Sequence, residues 1–496
     1  MRAISILGTS SNAGKSWLTT ALGAWLRRQG VKVAPFKAQN MSNNSFATLE
    51  GGEMGRAQAV QAIACGLRPV AAMNPILLKP CGNGRSQLVI LGEPGEVIAA
   101  RDYYQKIEHL WEIVAATLEG WRDRCDVLLL EGAGSPVELN LMHRDLVNLR
   151  PVLHLDGRWL LVGDIERGGI FAQAVGTVNL MPPAARSRGL GLIVNKFRGD
   201  LSLFSTADYH FKEHLPDLSY LGTLPHRDDL QPESEDSLCQ SAETGGEGPA
   251  IAWIRLPFLS NSQDVQPWLG DRGVQVRWVD RVADLAGARA IVLPGSKNTL
   301  RDLQWLRETG LAAAIQRAAA AGVPVVGICG GYQMLGDRLI DEDGAAGDRG
   351  DQTGLGLLPV TTTFQGHKTI RQVQAHWPSG DRAPWQAYEI HMGQTIATES
   401  LDSLVQVQDL EHISHTVQET RPEGYRKAHI WGTYLHGLFE SPAVRQALAI
   451  AAQMDGYWPN PLPWEEQQRQ QYNAMADLLD AHLDLNPIRQ YLDLPQ

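Results

Sequence analysis

The sequence predicts an α/β protein made of two successive parallel-sheet domains, and three observations predict it. Near the start, an apolar run over residues 4–7 leads into Gly8-Thr9-Ser10-Ser11-Asn12-Ala13-Gly14-Lys15-Ser16 and then into a helical pattern. In the second half, another short apolar strand delivers Gly327-Ile328-Cys329-Gly330-Gly331, again followed by a helical segment. Between the two, residues 227–249 are acidic, rich in Ser, Gly and Pro, and without apolar periodicity. Strand, tight loop and helix in succession is the unit from which parallel sheets are built, and the middle stretch has the composition of a linker. The expected organisation is a domain over 1–226, a linker over 227–249, a domain over 250–445 and a helical tail over 446–496.

Bulk properties narrow the classes of function. A chain of 496 residues with 44% hydrophobic content is long enough for more than one core. A net charge of −11 argues against nucleic acid or an anionic membrane as partner. No apolar run is long enough to span a bilayer, and the N-terminus lacks the pattern of a signal peptide. Five scattered cysteines form neither a disulfide framework nor a metal-type pair, so a reducing cytoplasm is expected.

The first loop suits phosphate. Its backbone N–H groups and the helix start after it would face an anion. Lys15 would supply a point charge, and Ser16 would ligate Mg²⁺. Five residues separate Gly8 from Gly14, one more than in the usual phosphate-loop spacing. Trp17, Leu18, Ala21, Leu22, Trp25 and Leu26 then fall on one helical face, Gly30 closes the helix, and residues 31–36 form a second strand.

The segment after that strand, Phe36-Lys37-Ala38-Gln39-Asn40-Met41-Ser42-Asn43-Asn44, reads as an amide-rich loop where doubly wound sheets bind ligands. Lys37, Gln39, Asn40 and Asn43 are candidate substrate contacts, because amides offer both donors and acceptors to a substrate carrying carboxylates and amides. Residues 52–66 read as a helix and 73–80 as a strand ending in a turn, with Arg56 and Lys79 as candidate anion contacts or solvated charges. The strand over 125–130 ends in Glu131, placed for a second Mg²⁺ contact. Strands over 159–163 and 190–194 follow, and Asn195, closing the latter, is a candidate for reading an adenine edge.

The second domain reads as strands over 250–256, 274–279, 290–293 and 324–328, with a helix over about 299–320. The glycines around Cys329 permit a nucleophile elbow, and the helix start favours negative charge on the sulfur. The backbone N–H of Gly330, joined by one from the turn at Gly295, would cradle an oxyanion. A thiolate nucleophile needs a base. His436, in Gly432-Thr433-Tyr434-Leu435-His436-Gly437, is preferred, with His391 as its rival. No acid completes a triad by spacing, since Leu438 stands two residues after His436. The tail, about 463–491, is polar and helical, with Met475, Leu478, Leu479 and Leu483 for docking.

Taken together, GTSSNAGKS, PFKAQNMSNNS, GGEMGRAQA, MNPILLKP, EGAGSP, GDIERGGIFA, NKFRGD, LPGSKNT, GICGGYQMLG, YEIHMG and GTYLHGLF make the chain resemble, end to end, the cobyric acid synthase family of cobalamin biosynthesis. The resemblance implies a P-loop domain similar to dethiobiotin synthetase followed by a class I glutamine amidotransferase domain. It implies ATP and Mg²⁺ as cofactors, and L-glutamine and (adenosyl)cobyrinic acid a,c-diamide as substrates. Four side-chain carboxylates would be amidated to give (adenosyl)cobyric acid. Cys329 matches the family's nucleophile and His436 its histidine; Leu438 fits a subgroup lacking the usual acid after that histidine. Ala387, where a glycine often stands, is a departure. Two alternatives are cobyrinic acid a,c-diamide synthase, disfavoured by the FKAQNMSNN segment, and a ParA/MinD-like ATPase switch, disfavoured by the cysteine elbow.

Overall fold

The computed structural model describes residues 1–496 except 83, 234–242, 245–247, 346–348, 379–382, 411–419 and 496. Most of the segment read as a linker, 227–249, lies outside the described residues.

The first half is organised on a parallel sheet of six strands. In spatial order they are Tyr220–Pro225, Gly189–Phe197, Arg158–Asp164, Arg2–Gly8, Val127–Glu131 and Val33–Phe36. The central strands are apolar along their length and buried on both faces, as a helix-covered parallel sheet requires. Strand order reverses beside Arg2–Gly8, so the loops after Gly8, Phe36 and Glu131 open into one crevice.

Two segments depart from their sequence reading. The loop after Phe36 contains a short strand, Gln39–Met41, which joins a side sheet with Ile76–Gly82, Arg85–Ile90 and Glu93–Ala99. Residues 52–66 begin as a strand, Glu53–Gly55, paired antiparallel with Ser45–Ala47; the helix starts only at Arg56. Both strands are three residues long, too short for a period to show, so polar composition reads as loop or helix.

Among the described residues, the second half is built on a 13-stranded mixed sheet. Its parallel part holds Gln275–Val279, Ala250–Ile254, Ala288–Leu293, Val325–Ile328 and Ile430–Thr433. Antiparallel strands including the long hairpin Val360–His376 and Trp385–Ala397 continue it. The helix expected over 299–320 is two helices, Thr299–Glu308 and Leu311–Ala320, because Gly310 takes φ +79° and ends the run.

The tail returns to the first half. Helix Trp464–His482 packs on helix Lys15–Arg28, and Met475, Leu479 and Leu483 enter its core. Trp25 Nε1 donates to Asp480 Oδ1 at 2.7 Å. The second half is thereby held between two parts of the chain that share a core.

Candidate functional site

Gly14 takes φ +106°, and a Cβ there would lie 2.0 Å from Asn195 Nδ2. The phosphate loop therefore closes only over glycine at this position. Lys15 Nζ donates to the carbonyls of Ser10 and Gly134, each at 2.9 Å. Asn195 Nδ2 donates to the Ala13 carbonyl at 3.0 Å. Asn195 thus braces the loop, and it also lines the cavity that opens over Lys15 and Ser16.

Ser16 Oγ donates to Glu131 Oε1 at 2.8 Å, and Lys37 Nζ donates to the same oxygen at 3.0 Å. Gln61 Nε2 donates to Glu131 Oε2. Burial alone would raise the pKa of Glu131; Lys37, with Gln61 and Ser16, reverses that and holds it below the usual carboxylate value. An alcohol and an ionised carboxylate converging at the end of the P-loop are hard oxygen donors that fit Mg²⁺, whose remaining positions are ordinarily filled by phosphate and water. Among the described residues no group of three or more His, Cys, Asp or Glu forms a self-sufficient metal cage. A cavity of about 610 Å³ opens over Lys15, Ser16, Lys37, Asn40 and Glu131.

Gln39 and Asn40 line this cavity, with Asn40 Nδ2 donating to Gln58 Oε1 at 2.8 Å. Asn43 does not join them. It lines a separate pocket with Cys329, and its Oδ1 is buried without a hydrogen-bond partner among the described residues.

Cys329 precedes the helix Gly330–Leu335 with φ 51° and ψ −109°, a strained conformation for a side-chain-bearing residue. It is held there by its own N–H, which donates to the Thr433 carbonyl at 2.8 Å, and by close backbone packing: a Cβ on Gly331 would lie 1.9 Å from the Leu293 carbonyl oxygen. Cys329 Sγ donates to the Ile390 carbonyl at 3.4 Å. The turns carrying Gly295 and Gly330 meet beside it; a Cβ on Gly330 would come within 2.8 Å of Ser296 N, and one on Gly295 within 3.1 Å of His436 Cε1.

His436 is fully buried. Its Nδ1 donates to Asp264 Oδ2 at 2.8 Å, and the other carboxylate oxygen accepts from Gly437 N at 2.8 Å. Nε2 is buried with no hydrogen-bond partner among the described residues. Burial disfavours the protonated ring, but Asp264 and then the Cys329 sulfur outweigh it, and the pKa is raised to about 9. His391 lines the Cys329 pocket too, yet it stacks on Tyr434 at 3.7 Å, its Nδ1 bonds the Gly393 carbonyl at 3.0 Å, and burial lowers its pKa to about 4.

Asp264 is the residue sequence reasoning missed. It lies 172 positions before His436, in the turn Ser262–Val265. No spacing signals that pairing; only the parallel sheet brings the two loops together.

The two halves meet at the Cys329 pocket. Asn43 and Lys79 come from the first half, Lys297 and Lys368 from the second. Ser45 N donates to Asn261 Oδ1 at 2.9 Å, and Gln372 Nε2 to the Ala47 carbonyl at 2.7 Å. Glu53, fully buried, pairs with Lys79 at 2.7 Å and with Lys368. Burial, opposed by Glu53 and reinforced by Lys79 and Lys297, lowers the Lys368 pKa to about 7. Arg56 is likewise buried and paired, with Glu233. Neither Arg56 nor Lys79 is a solvated charge, and both already carry a carboxylate partner.

Comparison with known proteins follows the same division. Residues 4–238 match the CobQ/CobB/MinD/ParA nucleotide binding domain, and residues 250–444 the CobB/CobQ-like glutamine amidotransferase domain. A cobyric acid synthase of Chloroflexus aggregans is 44% identical over 89% of this chain and 90% of its own length. Those of Synechocystis sp. and Synechococcus sp. are 40% and 43% identical, over 99% and 97% of this chain and 99% and 98% of their own lengths. The chain belongs to the cobyric acid synthase family and is a glutamine-hydrolysing carbon–nitrogen ligase with a nucleotide-binding domain.

Proposed function

We propose that the protein uses ATP and glutamine to amidate four of the free side-chain carboxylates, b, d, e and g, of (adenosyl)cobyrinic acid a,c-diamide, giving (adenosyl)cobyric acid in the cytoplasm. A carboxylate is a poor acceptor for ammonia because its oxygen is a poor leaving group. Attack of the carboxylate on the γ-phosphorus of ATP makes an acyl phosphate, which ammonia then opens with loss of phosphate. Lys15 and the loop amides hold the phosphates while charge shifts to the leaving ADP. Ser16 and Glu131 would hold Mg²⁺, which supplies further charge neutralisation at the phosphates. Lys37 and Asn40 face the same space and position the acceptor carboxylate.

In the other half, the Cys329 thiol passes its proton to His436 and the sulfur attacks the glutamine carboxamide, while the N–H groups at Gly330 and the Gly295 turn steady the oxyanion. His436, oriented by Asp264, gives its proton to the departing ammonia. Water then cleaves the thioester and frees glutamate. The observation that carries this reading is the pocket beside Cys329, walled by side chains of both halves. Ammonia is released there against the half that activates its acceptor. Mass spectrometry of the corrinoid after incubation with the a,c-diamide, ATP and glutamine is the test. A gain of four amides is expected; an unchanged corrinoid overturns the reading.

The Asp264–His436 pair gives a pH prediction. Replacing Asp264 by Asn removes the charge that holds the imidazolium, leaving burial to depress it. Glutamine hydrolysis should fall about 100-fold or more. The alkaline limb of kcat/KM for glutamine, expected near pH 9 in the wild type, should move to lower pH. The pair's contribution to folding has the same sign. The folded ring keeps its proton to about pH 9, against 6.5 for an unperturbed imidazole, so the stabilisation is complete below pH 6.5 and is lost as pH rises through 9.

A further inference from the structure

A second cavity, of about 240 Å³, adjoins the nucleotide cavity and has a different character. Its walls include Met41, Ile98, Tyr103, Tyr104 and Leu141. The two cavities share Gln39, Met41, Ala133 and Gly134. Gly134 is the residue whose carbonyl accepts from Lys15 Nζ, so the common wall is part of the apparatus that holds the phosphate-loop lysine. That wall is fixed. Asn148 accepts from Ala133 N and donates to the Ala133 carbonyl, each at 3.0 Å, and Tyr103 OH donates to Gln39 Oε1 at 2.5 Å.

The rim is apolar and open to solvent: Met41 is 54% exposed and Leu141 36%. One cation stands on it. The Arg144 guanidinium lies 5.2 Å from the centre of the Tyr104 ring, exposed, and makes no ion pair among the described residues. Of the acids on the lining, Asp145 is spent on the N–H groups of Val147, Asn148, Leu149 and Arg150, and Glu138 points from an exposed position. An apolar, aromatic recess with a lone guanidinium, opening at Gln39 and Met41 toward the phosphates, matches a flat apolar macrocycle that carries carboxylate arms.

We propose that this recess is the acceptor site, gripping one edge of the corrin ring, with Arg144 binding a carboxylate arm that is not the one reacting. The assignment rests on the function proposed above. The recess is too small to enclose the macrocycle, so most of the ring stands outside and can be re-seated to present a different arm at the shared wall. The product is itself an acid, so every intermediate keeps a carboxylate arm besides the one reacting, and Arg144 holds such an arm at each of the four steps.

Leu141→Asp and Arg144→Ala test this, since both residues line the recess and neither lines the nucleotide cavity. Corrinoid binding is read from the visible corrin absorption in equilibrium dialysis, and folding from thermal melting and the affinity for an ATP analogue. With both folding readouts at wild-type values, Leu141→Asp should weaken binding of the a,c-diamide at least about tenfold by charging an apolar wall. Arg144→Ala should raise the KM for the a,c-diamide about tenfold, with the KM for glutamine unchanged, and should weaken binding of the partly amidated intermediates by a similar factor. Corrinoid affinity unchanged in Arg144→Ala but lost in Leu141→Asp overturns the role given to Arg144. Unchanged corrinoid affinity in both variants overturns the recess as the acceptor site, while leaving the overall reaction standing. A wild-type protein that binds ATP but no corrinoid overturns the functional reading and this site with it.

Discussion

Cys329→Ala should lose glutamine-driven amidation by at least about 1000-fold and keep amidation driven by ammonium salts near the wild-type rate. The expectation follows from the separation of the two cavities. Cys329 lines a pocket with Lys297, Lys368 and His391, whereas Lys15, Ser16 and Glu131 line another. The thiol's own contact is with the Ile390 carbonyl, in the second half. Alanine at Cys329 removes the sulfur and keeps the backbone that takes φ 51°, so the elbow and its neighbours should persist. Ammonia supplied from solution then needs only the acyl phosphate made in the first half. Corrinoid product formed from ammonium, followed by mass, checks the claim at the same enzyme concentration used for glutamine. Loss with both nitrogen sources, in a variant that melts like the wild type, would contradict the division of labour.

How far each site was legible depends on how local it is. The phosphate loop and the cysteine elbow are contiguous stretches in which glycine placement reflects close backbone approach. Gly14 against Asn195 and Gly331 against Leu293 are such approaches. Glu131 was legible because an acid closing a buried strand has one place to go in a parallel sheet. The docking residues of the tail were legible as an apolar stripe, but nothing in the stripe says that it returns to helix Lys15–Arg28. Asp264 was not legible. Its partner comes from a strand that enters the sheet much later, and sequence distance carries no trace of that adjacency. Asn43 shows the same limit at short range. It stands four residues from Gln39, yet the strand Gln39–Met41 turns the chain from the nucleotide cavity toward the other half of the molecule. The buried set Glu53, Lys79 and Lys368 was hidden for a related reason. Each charge alone reads as solvated surface, and only the meeting of the two halves buries them as a satisfied group.

Lys15→Ala should do the reverse of the cysteine change: amidation should fall about 100- to 1000-fold with glutamine and with ammonium alike, while glutamine hydrolysis at Cys329 persists. The ammonium of Lys15 is nearly buried and is positioned by the Ser10 and Gly134 carbonyls, so it comes to the phosphates already oriented. Preorganised charge is what stabilises a transferring phosphoryl group, and no solvent-borne ion replaces it inside a closed loop. Supplying ammonia cannot help, because the step lost precedes the one that consumes ammonia. Lys15→Arg separates charge from fit: it keeps the cation, but Gly8 packs against the Lys15 side chain, a Cβ there lying 2.9 Å from Nζ, so a bulkier planar head has to displace the loop. The arginine variant should therefore bind ATP and still amidate poorly. Rapid amidation by Lys15→Ala with ammonium would show that the phosphate-loop lysine does not take part in making the acyl phosphate, and the synthetase step would have to be assigned to other cations of that cavity.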